Sequence, residues 1–476
     1  MAHARPLVMK FGGTSVGTPE AMAQAVAIIR DAHQRWRPGG VVVVTSALAG
    51  VTDRLLRGVQ AAARGEHDAV PQARAWLAER HRAMLEALIP PMERPALWGR
   101  IETLLETFAQ LGWAMTVLGE VTPRALDAVA ALGEQMSAPL LAAALRAQGV
   151  PATMVDAREI IVTDAHFGAA HPDEVASRER IRARLQPLLA QDQVVVVPGF
   201  IAATEDGVTT TLGRGGSDYS AALIGALLPA EEVWIWTDVD GVMSADPRLV
   251  PDAHTIPELS YREVAELAYF GAKVLHPKTI RPVIEANIPL RVRNTFHPEG
   301  PGTLIRQERA AVPGQIKALT VIWDLSMVTV EGRGMLGVPG VAARTFAAVA
   351  STDTSVLMIT QASSEQSISF IIPRGRGPQV KAALEETFAR ELARKDIDRI
   401  HILAPVAIIT VVGEGMRETP GVAGRIFGAL GRAGINVIAI AQGASEVALS
   451  LVVAEDEAVD AVRALHPLTR DITRPA

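Results

Sequence analysis

Lys10-Phe11-Gly12-Gly13-Thr14-Ser15-Val16-Gly17 follows the apolar run Leu7-Val8-Met9. The sequence therefore predicts a short buried strand ending in a glycine-rich turn that carries a lysine and two hydroxyls. Glycines let backbone N–H groups crowd an anion, and a lysine adds a point charge that can follow a phosphate through transfer. The stretch is a candidate phosphate cradle. It is not a Walker loop, because the lysine precedes the glycines and the Gly-x-x-x-x-Gly-Lys spacing is missing. An ordinary tight turn has the same local signature, so the reading depends on what stands at the ends of the neighbouring strands.

Outward from this turn, residues 19–32 carry a helical apolar pattern. Val41-Val42-Val43-Val44 leads into the small-residue turn Thr45-Ser46-Ala47-Leu48-Ala49-Gly50. Such a run reads as a parallel strand buried on both faces, with its turn at the carboxyl end where open α/β sheets place ligands. Residues 53–122, rich in alanine and leucine, are expected to form a helical excursion without chemistry, in which Trp76, Trp98 and Trp113 are packing residues. Leu132-Gly133-Glu134-Gln135 begins or lies within a helix running to Ala147, and Glu134 reads as a capping-turn acid or a site residue.

Val194-Val195-Val196-Val197-Pro198-Gly199-Phe200 repeats the strand and glycine turn. Thr209-Thr210-Thr211-Leu212-Gly213-Arg214-Gly215-Gly216-Ser217-Asp218 then precedes a small-residue helix over 221–228. Arg214 can grip a carboxylate with two parallel bonds, and Ser217 and Asp218 stand where a helix N-terminus offers free N–H groups. Simple N-capping by Asp218 is the plainer alternative, but an arginine and an aspartate set among glycines exceed what capping needs. Val233-Trp234-Ile235-Trp236 is a further strand, ending in a polar loop from Thr237 and Asp238 to Met243 and Arg248. Asp240 and Asp246 in that loop suit either magnesium or tight turns. After a helix from about Ser260, Phe270-Gly271-Ala272-Lys273-Val274-Leu275-His276-Pro277 delivers a second lysine, with His276 read as structural.

A length of 476 residues suggests about three domains, and 49% hydrophobic content can fill their cores. A net charge of −6 leaves no basic footprint for nucleic acid, and no lysine/arginine cluster points to anionic lipid. Neither nucleic acid nor membrane is expected as a partner. Lys10 lies too near the start for the apolar core of a signal peptide, and no run of about 18 apolar residues is expected to span a membrane, so the expected location is the cytoplasm. With no cysteine, disulfides, thiolate catalysis and zinc–thiolate sites are excluded.

Lys-Phe-Gly-Gly-Thr-Ser at 10–15, Gly-Arg-Gly-Gly-Ser-Asp at 213–218, Trp-Thr-Asp-Val-Asp-Gly at 236–241 and Phe-Gly-Ala-Lys-Val-Leu-His-Pro at 270–277 together resemble the aspartate kinases, in the same order over nearly the whole chain. The resemblance implies a three-layer αβα amino-acid-kinase sandwich with adjacent nucleotide and amino-acid pockets at its strand ends. It implies ATP and Mg2+ as cofactors and L-aspartate as substrate. Lys10 and Lys273 would neutralise the transferring phosphoryl, with Asp218 between them holding their orientation. Gly12, Gly13, Thr14, Ser15, Thr237, Asp238, Arg248, Lys273 and Val274 match the nucleotide side. Met243 departs from the tyrosine common there in some relatives. Arg214 would bind a substrate carboxylate and Glu134 the ammonium, with Ser46, Thr52, Phe200 and Ser217 lining the aspartate pocket. A carboxylate nucleophile is already charged, so no strong general base is required, and no protein metal site is assigned.

The last third repeats itself. Gly334, Pro339-Gly340-Val341-Ala342, Arg344, Phe346 and Gln361 recur 81 residues on as Gly415, Pro420-Gly421-Val422-Ala423, Arg425, Phe427 and Gln442. Each copy reads strand, turn, helix, strand, strand. The pair resembles tandem ferredoxin-like ACT domains, which bind free amino acids at their mutual interfaces. The expected divisions are a kinase domain over 1–310, a first ACT domain over 311–395 completed by 460–476, and a second over 396–460. A homodimer or homotetramer through the ACT domains is expected. In lysine-inhibited relatives a carboxylate stands where this chain has Leu357, beside Ser355 and Val356, so threonine, bound near Gln361 and Gln442, is expected over lysine as the feedback inhibitor. The function expected is ATP-dependent phosphorylation of the aspartate side chain, opening lysine, threonine and methionine synthesis. The competing reading is a non-catalytic amino-acid sensor. No dinucleotide fingerprint occurs, so a fused dehydrogenase is not expected.

Overall fold

The computed structural model describes residues 5–269, 275, 277–307, 314–361, 366–442 and 447–470. By packing, the chain forms two compact units, one of residues 1–242, 257–261 and 274–309, the other of 243–256, 262–273 and 310–476. The second unit takes in segments 243–256 and 262–273, which the expected division had put in the kinase domain.

The first unit holds an eight-stranded sheet in the order Ala152–Met154, Val194–Pro198, Val41–Thr45, Leu7–Phe11, Glu232–Thr237, Leu290–Asn294, Thr303–Arg306, Glu258–Ser260. The strands from Ala152–Met154 to Leu290–Asn294 run parallel, and Thr303–Arg306 is antiparallel to Leu290–Asn294 and parallel to Glu258–Ser260. The valine runs are wholly buried, as strands covered on both faces must be. On one face Met9, Phe11, Val43 and Val196 share a core with Met22 and Ile29 of helix Pro19–Arg35 and Leu141 of helix Pro123–Ala147. Helix Gly216–Leu227 packs on the strands Leu7–Phe11 and Val41–Thr45 and on helix Pro277–Glu285. These layers are the three-layer sandwich.

The excursion is helical, as Val51–Ala63, Ala69–Leu88 and Arg94–Leu118. Trp76 and Trp98 pack against the core, but Trp113 is exposed and is not the packing residue expected. A second difference concerns helix Pro123–Ala147, which contains an 18-residue window apolar enough to cross a membrane, although no such run was expected; that window is 94% buried in the protein. A helix enclosed by strands and four other helices has no polar face to keep.

In the second unit, six strands form one sheet in the order Met358–Gln361, Ser367–Pro373, Ala318–Glu331, Arg399–Val412, Ala448–Ala454, Ala439–Ala441. The two long central strands are antiparallel and break register between Ile322 and Met327. Beyond the break, Met327–Glu331 pair with Arg399–Leu403, and their Val328, Val330 and Ile400 share the first copy's core with Phe370 and Leu384. Before it, Ala318–Ile322 pair with Ile408–Val412, and Leu319 joins Ile409, Leu451 and Leu465 in the second copy's core. Each copy therefore takes one strand from outside its own stretch of sequence. The expectation that residues after 460 complete the first copy is overturned: Ala458, Ala461, Val462 and Leu465 of the helix Ala458–Leu465 pack in the second copy, because their apolar stripe faces Leu319 and Val453.

Candidate active site

The carboxyl ends of the parallel strands open onto a pocket of about 620 Å³ lined by Lys10, Gly13, Ser46, Thr52, Glu134, Phe200, Arg214, Ser217 and Asp218. Eight motif residues far apart in sequence and the turn glycine thus meet in one cavity, as strand alternation and the strand-end rule require. Lys10 points to the face opposite the Met9 and Phe11 core, and its Nζ lies 2.5 Å from Asp218 Oδ1, both side chains being largely buried. A Cβ on Gly12 would sit 3.4 Å from that Nζ, so glycine lets the turn backbone come close to the ammonium. Asp218 is in the first turn of helix Gly216–Leu227, whose cap is Gly215 in the left-handed region; its carboxylate is turned to Lys10 and it is not an N-cap. Phe200 holds a positive φ of 67° beside Gly199, where a Cβ would meet Val44 at 2.8 Å and Ser217 at 2.9 Å. Strained backbone of this kind persists where its surroundings fix it.

Glu134 lies in the middle of helix Pro123–Ala147, not at a capping turn, and is only 3% exposed. Its Oε1 accepts from Ala47 N at 3.1 Å, while Oε2 is buried without a hydrogen-bond partner among the described residues. Burial pushes its carboxyl up to about 8, opposed by the Ala47 N–H and the Lys10 charge. A buried, half-satisfied carboxyl on a pocket wall is a seat for a cationic group. Arg214 is exposed on the opposite glycine turn, with its guanidinium free of partners among the described residues.

Two contributors carried no signal in the sequence. Asp127, buried at 3%, accepts from Gly168 N, from Thr211 N at 3.0 Å and from Thr211 Oγ1 at 2.7 Å, which fixes two lining segments. The helical excursion also takes part, contrary to expectation. Asp53, Leu56 and Gln60 line the pocket, and Arg80, stacked 5.3 Å above Trp76, donates to the Gly17 carbonyl at 2.9 Å. Only the turn glycines hint that such bracing is needed.

The nucleotide-side residues divide. Gly12 N donates to the Trp236 carbonyl, which sets the turn beside strand Glu232–Thr237, and Thr14 is exposed. Ser15 does not face the pocket: it is fully buried and its Oγ lies 2.7 Å from Thr295 Oγ1, so it fastens the turn to its neighbour. Thr237 donates to the exposed Asp238. Asp240 is taken by Asn294 and His297, which ties its loop to the end of the next strand, and Asp246 by Arg248 through its backbone N–H and paired guanidinium bonds of 2.6–3.1 Å, so Asp246 acts as a turn-forming acid. No cluster of three metal-ligating side chains occurs among the described residues. Met243 and Arg248 belong to the second unit, and Lys273, Val274 and His276 lie outside the described residues.

The profile of the amino acid kinase family matches residues 5–294, and that of the ACT domain matches 328–388 and 409–467. The lysine-sensitive aspartokinase 3 of Escherichia coli is 34% identical over 466 residues, covering 97% of this chain and 98% of that protein. The chain belongs to the aspartokinases. The crystal structure of Escherichia coli aspartokinase III in complex with aspartate and ADP superposes with a TM-score of 0.78 at 32% identity, covering 98% of this chain and 100% of that one. The bifunctional aspartokinase/homoserine dehydrogenase of Haemophilus influenzae is 38% identical over 462 residues, covering 96% of this chain and 56% of that protein. The chain spans about half the length of the bifunctional relatives it matches.

In this aspartokinase-family chain the first ACT copy carries a second cavity, of about 280 Å³, around the turn Pro339-Gly340-Val341-Ala342. Gln361 lines it from the end of strand Met358–Gln361. Leu357 packs beside Met358 and Ile371 and donates its N–H to the Ile371 carbonyl; Ser355 is exposed and Val356 leans on the first copy's core. At the matching turn of the second copy, Arg425 donates to the Gly314 carbonyl at 2.7 Å, and a Cβ on Gly314 would meet Thr419 at 2.6 Å. Its counterpart Arg344 instead grips Glu391 and the Thr387 carbonyl. Gln442 is exposed.

Proposed function

We propose that the protein is an aspartate kinase that transfers the γ-phosphoryl of ATP to the side-chain carboxylate of L-aspartate, giving 4-phospho-L-aspartate. The observation that carries this reading is one pocket holding the Lys10–Asp218 pair, the unpartnered Oε2 of Glu134 and the free guanidinium of Arg214. Glu134 takes the substrate ammonium and Arg214 a carboxylate, leaving the side-chain carboxylate aimed at the lysine. A carboxylate oxygen forms the new bond to γ-phosphorus as the bond to the ADP oxygen breaks, and no proton must move. Catalysis is then positioning and charge stabilisation, with Lys10 serving the transferring oxygens and Asp218 holding its ammonium. Lys273 is proposed as the second cation. Mg2+ enters on the nucleotide phosphates, as it does where few protein ligands are supplied.

The proposal extends to feedback control by threonine rather than lysine, through the Gln361 cavity. Leu357 does not line that cavity, but no carboxylate stands among the residues that do, so a ligand's distal ammonium would have no charge to pair with there, and an unpaired buried charge is costly. A homodimer or homotetramer through the ACT sheet fits the exposed Ile359, Leu403 and Ile440 on it. Such an enzyme would open lysine, threonine and methionine synthesis in the cytoplasm. The test is ADP release by the purified protein with MgATP and a panel of acidic amino acids. Release that depends on L-aspartate is expected; no release with any amino acid would leave the sensor reading in its place.

A further inference from the structure

A third cavity, within the first unit, shares no lining residue with the candidate active site. It holds about 270 Å³ and is walled by Trp36, Trp234, Trp236 and Arg293, with the exposed Asp31 and Glu299 also on its surface. Strand alternation explains the placement. Trp234 and Trp236 stand two residues apart on strand Glu232–Thr237, and Arg293 pairs in register with Trp236 from the parallel strand Leu290–Asn294. Trp236 belongs to the core of Met9 and Phe11, on the face of helix Pro19–Arg35, whereas Lys10 points to the other face.

The guanidinium is held in an unusual way. Its Cζ lies 4.9 Å from the ring centre of Trp234 and 4.7 Å from that of Trp236. Seated on two indole rings, Arg293 keeps its place without an ion pair. Its Nη2 donates to the Pro298 and Gly300 carbonyls, at 2.5 and 3.4 Å, and no carboxylate pairs with it among the described residues. Two nearby acids are engaged elsewhere: Asp31 with Arg35 at 3.0 Å, and Glu232 with Trp234 Nε1 at 2.6 Å and with Arg291 at 3.4 Å. Burial, and then the charge of Arg291, lower the pKa of Arg293, with Glu299 opposing, as befits a cation short of negative charge.

Two donors complete the wall. Arg293 Nε and Trp236 Nε1 are both buried without a hydrogen-bond partner among the described residues, and Trp236 is only 1% exposed. Orphaned buried donors are costly, and an apolar packing gap requires neither of them. An uncompensated cation and two free N–H groups call for an anion with oxygen acceptors, and indole walls call for a flat ring. At about 30 Å³ per water, the volume equals roughly nine waters, room for a one-ring acid and too little for a nucleotide.

We propose that this cavity binds an aromatic carboxylate, whose oxygens accept from Arg293 Nε and Trp236 Nε1 and whose ring packs on the tryptophan walls.

The test is isothermal titration of the full chain with benzoate, with benzamide as its neutral counterpart and phenylalanine as the amino-acid form. Benzoate should bind at least tenfold more tightly than benzamide. Arg293→Met, which keeps an apolar stem, should weaken benzoate about tenfold to a hundredfold, the range for a hydrogen bond to a charged group. Trp236→Phe keeps a ring and loses the N–H, and should weaken it about fivefold; it carries the test if Arg293→Met does not fold. Arg214→Ala, in the other cavity, should leave benzoate binding unchanged. Tighter binding of phenylalanine than of benzoate would assign the site to aromatic amino acids, and the reverse to free aryl acids. Failure of both to bind, equal binding of benzoate and benzamide, or a loss with Arg214→Ala in place of Arg293→Met would overturn the proposal. Because binding is read directly, the result stands whether or not the chain phosphorylates aspartate.

Discussion

The cavity at the strand ends and the cavity at Gln361 are both places for an amino acid, yet they are built from opposite materials. The first encloses a lysine, four carboxylates and an arginine, with Glu134 and the Lys10–Asp218 pair largely out of water. The second is walled by Met335, the Gly337–Ala342 turn, Ile368 and one neutral amide. Fixed, dehydrated charge is expensive to assemble and is useful where charge develops during a reaction. An uncharged pocket makes no such commitment, and it selects by shape and by which ligand charges it leaves unanswered.

The largest expected effect tests the charged cavity. Lys10→Ala should lower kcat by about 100- to 1,000-fold, the range for removing one preorganised charge stabiliser, while circular dichroism stays native. Turnover within a few-fold of wild type would mean that the cavity's charges serve structure alone. Glu134→Gln comes next. In the empty pocket Glu134 titrates near 8, and only its carboxylate form attracts an ammonium. The KM for aspartate should therefore fall as pH rises from about 6.5 to 8.5. The glutamine variant should show a KM raised roughly tenfold to hundredfold and flat across that window. A flat wild-type profile would remove Glu134 from the ammonium site.

Arg214→Ala should raise the KM for aspartate roughly tenfold, less than Glu134→Gln because the guanidinium stands in solvent, and should leave the KM for ATP alone. A change confined to ATP would show that the two halves of the cavity have been placed the wrong way round. The smallest effect belongs to the uncharged pocket: Gln361→Ala should weaken threonine inhibition about fivefold, one neutral hydrogen bond, with uninhibited rates unchanged. Inhibition by lysine alone would sharpen the contrast against us, since a pocket without fixed charge would then be handling a cation.

Much of the catalytic cavity was legible because its residues sit where local rules concentrate them, on turns after apolar runs and at a helix start. Lys10, Arg214 and Asp218 are of that kind. Glu134 was half legible, since a lone acid in a helix reads the same whether it caps, faces water or, as here, is buried against Ala47 N. Asp127 and Arg80 were invisible, because support from across the fold leaves no local pattern. Ser15 shows the reverse error: a hydroxyl in a phosphate-type turn invites a ligand role, and only the packing reveals that Thr295 has claimed it. The repeat announced its two copies through matching residues at a fixed offset. It could not announce which edge strand completes which copy, because Val-, Ile- and Thr-rich runs pair as well with one neighbour as another.

That exchange of edge strands bears on how the molecule can be divided. A gene cut between the two repeats, near residue 396, would leave the first half without Arg399–Leu403 and the second without Ala318–Ile322, each with an open sheet edge and an uncovered core. Each half thus supplies the other's missing strand, and neither covers its own core alone.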